Sequence, residues 1–248
     1  MGVVHSHKEL PQDRLATTDE QGYRLVVHPA DVRGLFRRWR TVVHAVLLLV
    51  FLLLPWLKIH GQQALLLDVT HRRFNIFGLV LWAHDAPLFV FVLLGGALAL
   101  LLVTAVWGRV WCGWACPQTV FIDAVFRRIE RAVEGDAVQR RRLHGEPWSV
   151  DKALKKAAKW FLFTAAALII SHSFLAYFVG TEELAIIVRL SPYENWGTFL
   201  LMGSVTALIL FDFGWFREQF CIIMCPYGRF QSVLMDELSM VIAYDEAR

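Results

Sequence analysis

Four long apolar runs set the terms for this 248-residue chain. A helix needs about 20 apolar residues to cross the ~30 Å hydrocarbon core of a bilayer. The run from Ala86 to Trp107 meets that length, interrupted only by Pro87 and Thr104. Val42 to Leu57 is short alone. It reaches the required length with Trp39 to Thr41 and Lys58 to Ile59, whose polar ends can snorkel. Trp160 to Val179 and Trp196 to Phe213 complete the set. Backbone polar groups in lipid must be satisfied within the segment. Such runs therefore predict helices, spanning about 40–59, 86–107, 160–179 and 196–213. The expected fold class is all-α, an integral membrane bundle of four transmembrane helices. Composition agrees, with 19% charged residues against about 25% in soluble domains. Trp39, Trp56, Trp82, Trp107, Trp160 and Trp196 lie at or near run ends, where interfacial tryptophans concentrate.

Lysine and arginine set the orientation. Of 25 such residues, 21 lie in segments 1–41, 108–159 and 214–248, which alternate with segments carrying the remaining four. The positive-inside rule then places both termini and the 108–159 loop in the cytoplasm. Residues 1–38 read as a cytoplasmic N-terminal arm without a secretory signal. Residues 39–248 read as the membrane domain.

All four cysteines fall in two copies of one pattern. Trp111-Cys112-Gly113-Trp114-Ala115-Cys116-Pro117 and Phe220-Cys221-Ile222-Ile223-Met224-Cys225-Pro226 both read aromatic-Cys-x-x-x-Cys-Pro, offset by 109 residues. With the topology above, each copy follows a span running outward to inward. The chain thus reads as two tandem helix pairs, each ending in Cys-x-x-x-Cys-Pro at the same face. Parallel repeats of this kind form sites at their interface. Thiolates are soft ligands for iron–sulfur clusters and Cu(I). Three readings stay open: one shared four-thiolate iron–sulfur centre, two pairs that bind Cu(I) or cycle as dithiols, or four ordinary buried cysteines. Pro117 and Pro226 suit the first position of a new helix, where a missing N–H costs nothing. Arg109 and Arg217 are expected to lower the thiol pKa values. Trp111, Trp114, Phe220 and Tyr227 are expected to shield a centre from water.

Other features are weaker. His44 and His172 lie about 18 Å apart in depth, too far to share one haem, and each suits an interhelical hydrogen bond. His60, His71 and His84 in the outward loop could receive a divalent metal or stay solvated. Asp212 could pair with Arg217 or Arg109. Phe121 to Val133 and Asp151 to Trp160, with Ser149 as N-cap, read as basic helices on anionic lipid. The rival reading is a docking surface for an acidic electron donor. Ala64 to Leu67 and Phe74 to Trp82 read as interfacial or re-entrant segments. Dinucleotide-binding, Walker, zinc-protease and nucleophile-elbow motifs are absent. The basic residues follow topology, so no nucleic acid is indicated.

Several stretches resemble the CcoG/FixG/RdxA family of cytochrome c oxidase accessory proteins. They are Gly61-Gln62-Gln63-Ala64-Leu65-Leu66-Leu67-Asp68, Arg72-Arg73-Phe74, the first cysteine segment through Gln118-Thr119-Val120-Phe121, Arg127-Arg128-Ile129-Glu130, and Cys221 through Pro226-Tyr227-Gly228-Arg229-Phe230-Gln231. The resemblance implies a redox protein of the bacterial inner membrane with iron–sulfur (4Fe-4S) cofactors. It would reduce Cu(II) to Cu(I) and work with assembly factors of a cbb-type oxidase. Cys112, Cys116, Cys221 and Cys225 would carry the redox or metal role. Related ferredoxin-type quinol dehydrogenases supply an alternative function, and a Cu(I)-binding assembly scaffold another. Family members continue into a ferredoxin-like domain through repeated Cys-x-x-Cys-x-x-Cys-x-x-x-Cys-Pro. This sequence carries no such run, so either it is a piece of a longer protein or the ferredoxin is a separate chain, and a cytoplasmic electron donor or ferredoxin domain is the expected partner.

Overall fold

The computed structural model describes residues 32, 34–68, 73–82, 86–189, 193, 195–228 and 230. The arm expected over 1–38 lies outside the described residues as far as Asp31, as do His71, Arg72 and His84. The fold is mostly helical. Four helices are long and apolar enough to cross a membrane: Leu35–Trp56, Val90–Trp107, Val150–Val179 and Trp196–Phe216. Their large apolar side chains face outward, with Phe91 72% and Leu102 68% exposed. Exposure of that kind suits lipid and not water.

Helix α1 (Leu35–Leu53) begins after Gly34, five residues before the expected span. It gives way to a 3-10 turn at Leu54–Trp56, because Pro55 cannot continue the backbone ladder. Helix α2 (Ala86–Trp107) matches its run. Helices α3 (Val110–Trp114) and α4 (Pro117–Phe121) follow. A π-helical turn at Ile122–Phe126 then leads into α5 (Arg127–Glu134) and α6 (Ala137–Gly145). The expected basic helix at Asp151 and the span from Trp160 are one helix, α7 (Val150–Val179), with the Ser149 side chain accepting from the Lys152 N–H. Its 30 residues give about 45 Å at 1.5 Å per residue, so its lysine-rich start extends beyond a bilayer core. Helices α8 (Thr181–Arg189) and α9 (Trp196–Phe211) complete the set, and α9 continues as a π turn, Asp212–Phe216.

The all-α expectation needs one correction. Between α1 and α2 lie a two-stranded hairpin, β1 (Lys58–Ile59) with β2 (Gln62–Gln63), and a three-stranded antiparallel sheet, β3 (Leu65–Asp68), β4 (Arg73–Ile76) and β5 (Leu79–Trp82). The register pairs Leu65 with Ile76 and Ile76 with Leu79. The stretches expected to be interfacial or re-entrant are therefore strands. Two-residue turns at His60-Gly61 and Phe77-Gly78, all at positive φ, close the hairpins with the twist that type I′ turns supply. Gln63 fastens the β1–β2 hairpin to the α7–α8 junction by donating to the Ala176 carbonyl at 2.9 Å and accepting from the Thr181 N–H at 3.2 Å.

At the opposite end the 108–159 segment also departs from expectation. Phe121, Ile122 and Phe126 are buried with Phe163, Ile170 and Phe213 in the main core. Phe126 meets Phe163 edge-on at 4.9 Å and Phe121 meets Phe51 at 5.2 Å. A helical period of 3.6 selects Phe121, Val125 and Ile129. The π turn adds a residue to one turn, so Ile122 and Phe126 also enter the core. One face of this helix is thus wedged among the spans, while Arg128 and Arg131 stay exposed on the other. Its carboxylates are met within the protein. Asp123 is bonded by Arg37 at 3.0 Å, Arg127 at 2.7 Å, and Arg40. Glu130 pairs with Arg217 at 2.5 Å and Arg140 at 3.3 Å. Glu134 pairs with Lys159 at 2.8 Å and Lys156 at 2.9 Å.

These pairs have a pH signature. Burial works to raise the Asp123 carboxyl, but Arg127, Arg40 and Arg37 outweigh it and hold it below the usual range. Burial opposes Lys159 and Lys156 in the same way at Glu134, and the lysines prevail. A depressed folded-state value gives stability that is present above the unfolded carboxylate pKa of about 4. That stability is lost as pH falls through the folded values. Thermal unfolding in detergent should therefore be nearly flat between pH 7 and about 5 and fall steeply below pH ~4. Asp123→Asn should lower the plateau and flatten the acid limb.

Candidate functional site

Each cysteine pair is built by the same backbone device. After α2, Gly108 takes φ 61 and reverses the chain, α3 carries Cys112, and Cys116 is extended at φ −61, ψ 125 before Pro117 opens α4. After the π turn that ends α9, Arg217 takes φ 49. A π turn at Phe220–Met224 carries Cys221, and Cys225 is extended at φ −72, ψ 110 before a helical turn at Pro226. The Cys116 N–H donates to the Trp111 carbonyl at 3.0 Å, and the Cys225 N–H to the Phe220 carbonyl at 2.9 Å. Both prolines thus open helical turns, as their sequence position implies.

The two pairs lie within electrostatic reach of each other. Burial pushes the Cys112 thiol up, Cys116 and Cys225 push it further, and Arg109 opposes them. Burial pushes the Cys221 thiol up to about 11, reinforced by Cys116, Cys225 and Cys112 and by Asp212. Arg109 acts on Cys112 in the expected downward direction but is outweighed by burial and the neighbouring thiols. The expectation for Arg217 is corrected, because its guanidinium is committed to Glu130 and lies 5.8 Å from the Phe163 ring. None of the four cysteines is in a disulfide. Among the described residues no three His, Cys, Asp or Glu side chains are gathered tightly enough for one ion. The four thiols are half-buried to exposed, and thiolates are the usual ligands of iron–sulfur clusters.

The surroundings supply the remaining contacts. His44 on α1 is 2% exposed, and its Nε2 donates to the Gly113 carbonyl at 3.3 Å. This is the interhelical bond expected of it, and it ties α1 to the first thiol turn. His172 bonds its own helix at the Leu168 carbonyl, 2.7 Å away. Asp212 pairs with neither arginine and accepts instead from Gln118 Nε2 at 2.9 Å. Tyr227 Oη bonds Thr104 Oγ1 on α2. Thr104, Gln118 and Glu130 escaped the sequence reading because each gains its role only from a distant segment. Of the outward-loop histidines only His60 is described, in the β1–β2 turn.

Two substitutions test this geometry. Arg217→Gly relieves a positive φ worth about 1–3 kcal/mol but strips Glu130 of a buried partner worth about 3–5 kcal/mol. The unfolding midpoint in detergent should fall. A Cβ at Gly228 would stand 2.8 Å from the Cys221 carbonyl oxygen. Gly228→Ala should therefore displace the second thiol turn and change the alkylation rate of Cys221 severalfold, leaving Cys112 unchanged.

Comparison with known proteins converges on the same two segments. Residues 89–134, which hold the first pair, match a family described as a 4Fe-4S binding domain. Residues 216–248, which hold the second, match a 4Fe-4S dicluster domain. Protein RdxA of Cereibacter sphaeroides is 35% identical over 232 residues, 91% of this chain and 49% of that protein. Nitrogen fixation protein FixG of Rhizobium meliloti is 35% identical over 91% of this chain and 44% of its own length. Protein RdxB of Cereibacter sphaeroides is 35% identical over 90% and 47%. The chain spans about half the length of these curated relatives. No solved structure matches it. Four helices long and apolar enough to cross a membrane, with two segments that match 4Fe-4S families, describe a membrane protein of iron–sulfur type. Over about nine-tenths of its length the chain is similar to RdxA, FixG and RdxB.

Proposed function

We propose that Cys112, Cys116, Cys221 and Cys225 together hold one 4Fe-4S cluster at the cytoplasmic face of the bacterial inner membrane. The observation that carries this reading is that the two segments similar to 4Fe-4S domains are joined across the repeat, by Gln118 to Asp212 and by Tyr227 to Thr104. In this reading the domain is a tandem repeat of two helix pairs over residues 39–248, with both termini and the 108–159 loop cytoplasmic. The shared positive-φ reversal at Gly108 and Arg217 supports it. A bound cluster supplies single-electron storage at low potential. The protein's part is to hold four thiolates in place. The π turn at Phe220–Met224 and the Cys-Pro helix starts present them, and the half-buried Trp114 and Phe220 limit water. Bound iron would hold these ligands as thiolates, since burial, the neighbouring thiols and Asp212 together leave Cys221 a neutral thiol at physiological pH.

The electron acceptor in this reading is Cu(II), which takes one electron to become Cu(I), and the donor is a reduced cytoplasmic ferredoxin or ferredoxin domain. The product would serve assembly of a cbb-type oxidase. One observation favours a second reading, quinol oxidation. An apolar cavity of about 570 Å³, lined by Leu47, Phe51, Ala115, Pro117, Phe121 and Phe213, lies against the first cysteine segment.

Anaerobic purification followed by iron, acid-labile sulfide and copper assay tests the proposal. Four irons and four sulfides per chain are expected, with each single Cys→Ala variant losing most of both. Equimolar Cu(I) without sulfide would instead make the chain a copper-binding scaffold. Quinol-dependent reduction that ignores copper would favour the second reading.

A further inference from the structure

The residue after each Cys-Pro has no role in ligation, yet it is polar in both copies: Gln118 and Tyr227. With the 109-residue offset they are the same position of the repeat. Each reaches out of its own copy into the other. Gln118, 8% exposed, donates through Nε2 to Asp212 Oδ1 at 2.9 Å and to the Arg217 carbonyl at 3.3 Å. Both acceptors lie where the span before the second pair ends. Tyr227 bonds Thr104 Oγ1, near the end of the span before the first pair. The destinations also correspond. The offset carries Asp212 onto Val103, one residue from Thr104.

The proton inventory gives the second bond a direction. Thr104 is fully buried, and its hydroxyl already donates to the Leu100 carbonyl at 2.7 Å. A threonine has one hydroxyl proton, so Tyr227 is the donor. Both brackets therefore run the same way: the donor sits beside the second cysteine of one pair, and the acceptor sits on the other copy's span. In each copy a single residue, the proline, separates bracket from thiol.

We propose that Gln118 and Tyr227 are paired positioning residues that set the distance between the two cysteine pairs. This rests on the reading of the four thiols as one site. Each bond ties the Cys-Pro turn of one copy to the frame of the other, so the separation of Cys116 from Cys221 and of Cys225 from Cys112 is set twice over. Thr104 and Asp212 are the receiving ends. The side chains do not touch the reacting atoms. They act by holding the thiol turns.

The test uses the full chain in membranes. Two-cysteine variants carrying one thiol from each pair are treated with a short bifunctional thiol reagent, and within-pair linkage of Cys112 to Cys116 and of Cys221 to Cys225 serves as the control for folding. Tyr227→Phe, which keeps the ring, and Gln118→Leu should each cut cross-pair linkage roughly fivefold, the scale of one hydrogen bond, with within-pair linkage unchanged. Thr104→Val should match Tyr227→Phe, and the two together should do no more than either alone, because they delete one interaction. Thr104→Ser, which keeps the acceptor, should restore linkage. In iron-loaded protein that keeps all four cysteines, the same Gln118, Tyr227 and Thr104 substitutions should alter the electron paramagnetic resonance signature of the reduced state. Unaltered cross-pair linkage in Tyr227→Phe and Gln118→Leu overturns the positioning role alone. Absence of cross-pair linkage in the otherwise unsubstituted two-cysteine variants overturns the shared site, and the positioning role with it.

Discussion

Three buried carboxylates at one end of the bundle hold the rest of this structure in register. Asp123, Glu130 and Glu134 are at most 8% exposed, and burying a charge is costly unless it is paired and hydrogen-bonded. Their partners come from far along the chain: Arg37 and Arg40 from α1, Arg140 from α6, Lys156 and Lys159 from α7, and Arg217 from the hinge beyond α9. Three of the four apolar helices, or their direct extensions, are thereby fastened to the helix that follows the first cysteine pair. Removing one member leaves uncompensated charge, and that is the penalty that makes the arrangement specific.

The same network accounts for an oddity in the duplicated turn. Both copies reverse the chain through a positive-φ residue before the thiols, and one uses Gly108, where such a conformation costs least. The other uses Arg217, whose backbone is strained there. Its guanidinium bonds Glu130 at both nitrogens, at 2.5 and 3.2 Å, and its own helix carbonyls. A conformational penalty of about 1–3 kcal/mol is offset by a buried, bidentate, charge-assisted pair. The two copies are alike in backbone and unlike in what stabilises them. Phe121 in the first is buried, whereas Phe230, its counterpart, is 65% exposed.

Much of this was legible in the residues. The spans followed from apolar run length, Ser149 from its capping chemistry, and the helix starts at Pro117 and Pro226 from the missing proline N–H. The strands were missed because segments of two to four residues carry little periodicity. The available signal was the pair of X-Gly turns at His60-Gly61 and Phe77-Gly78. The depth of the α4–α5 segment was missed for a different reason. A π turn re-phases the helix, so a fixed 3.6-residue period could not identify Ile122 and Phe126 as core residues. Arg109 does draw the Cys112 thiol down, though not enough to offset burial; Arg217 was misassigned because it is near the thiols in sequence but has a closer acid in Glu130.

Sequence alone determined that the chain has four lipid-length helices and two copies of one thiol turn, because hydrophobic length and a repeated motif are local properties. Only tertiary structure decided which charges neutralise each other and where the two turns stand relative to one another. Gln118 with Asp212, Tyr227 with Thr104, and Arg217 with Glu130 are pairs separated by 87 to 123 residues. Such pairs form only when packed helices bring their ends together, and no pattern along the chain encodes which polar group will be within hydrogen-bond reach.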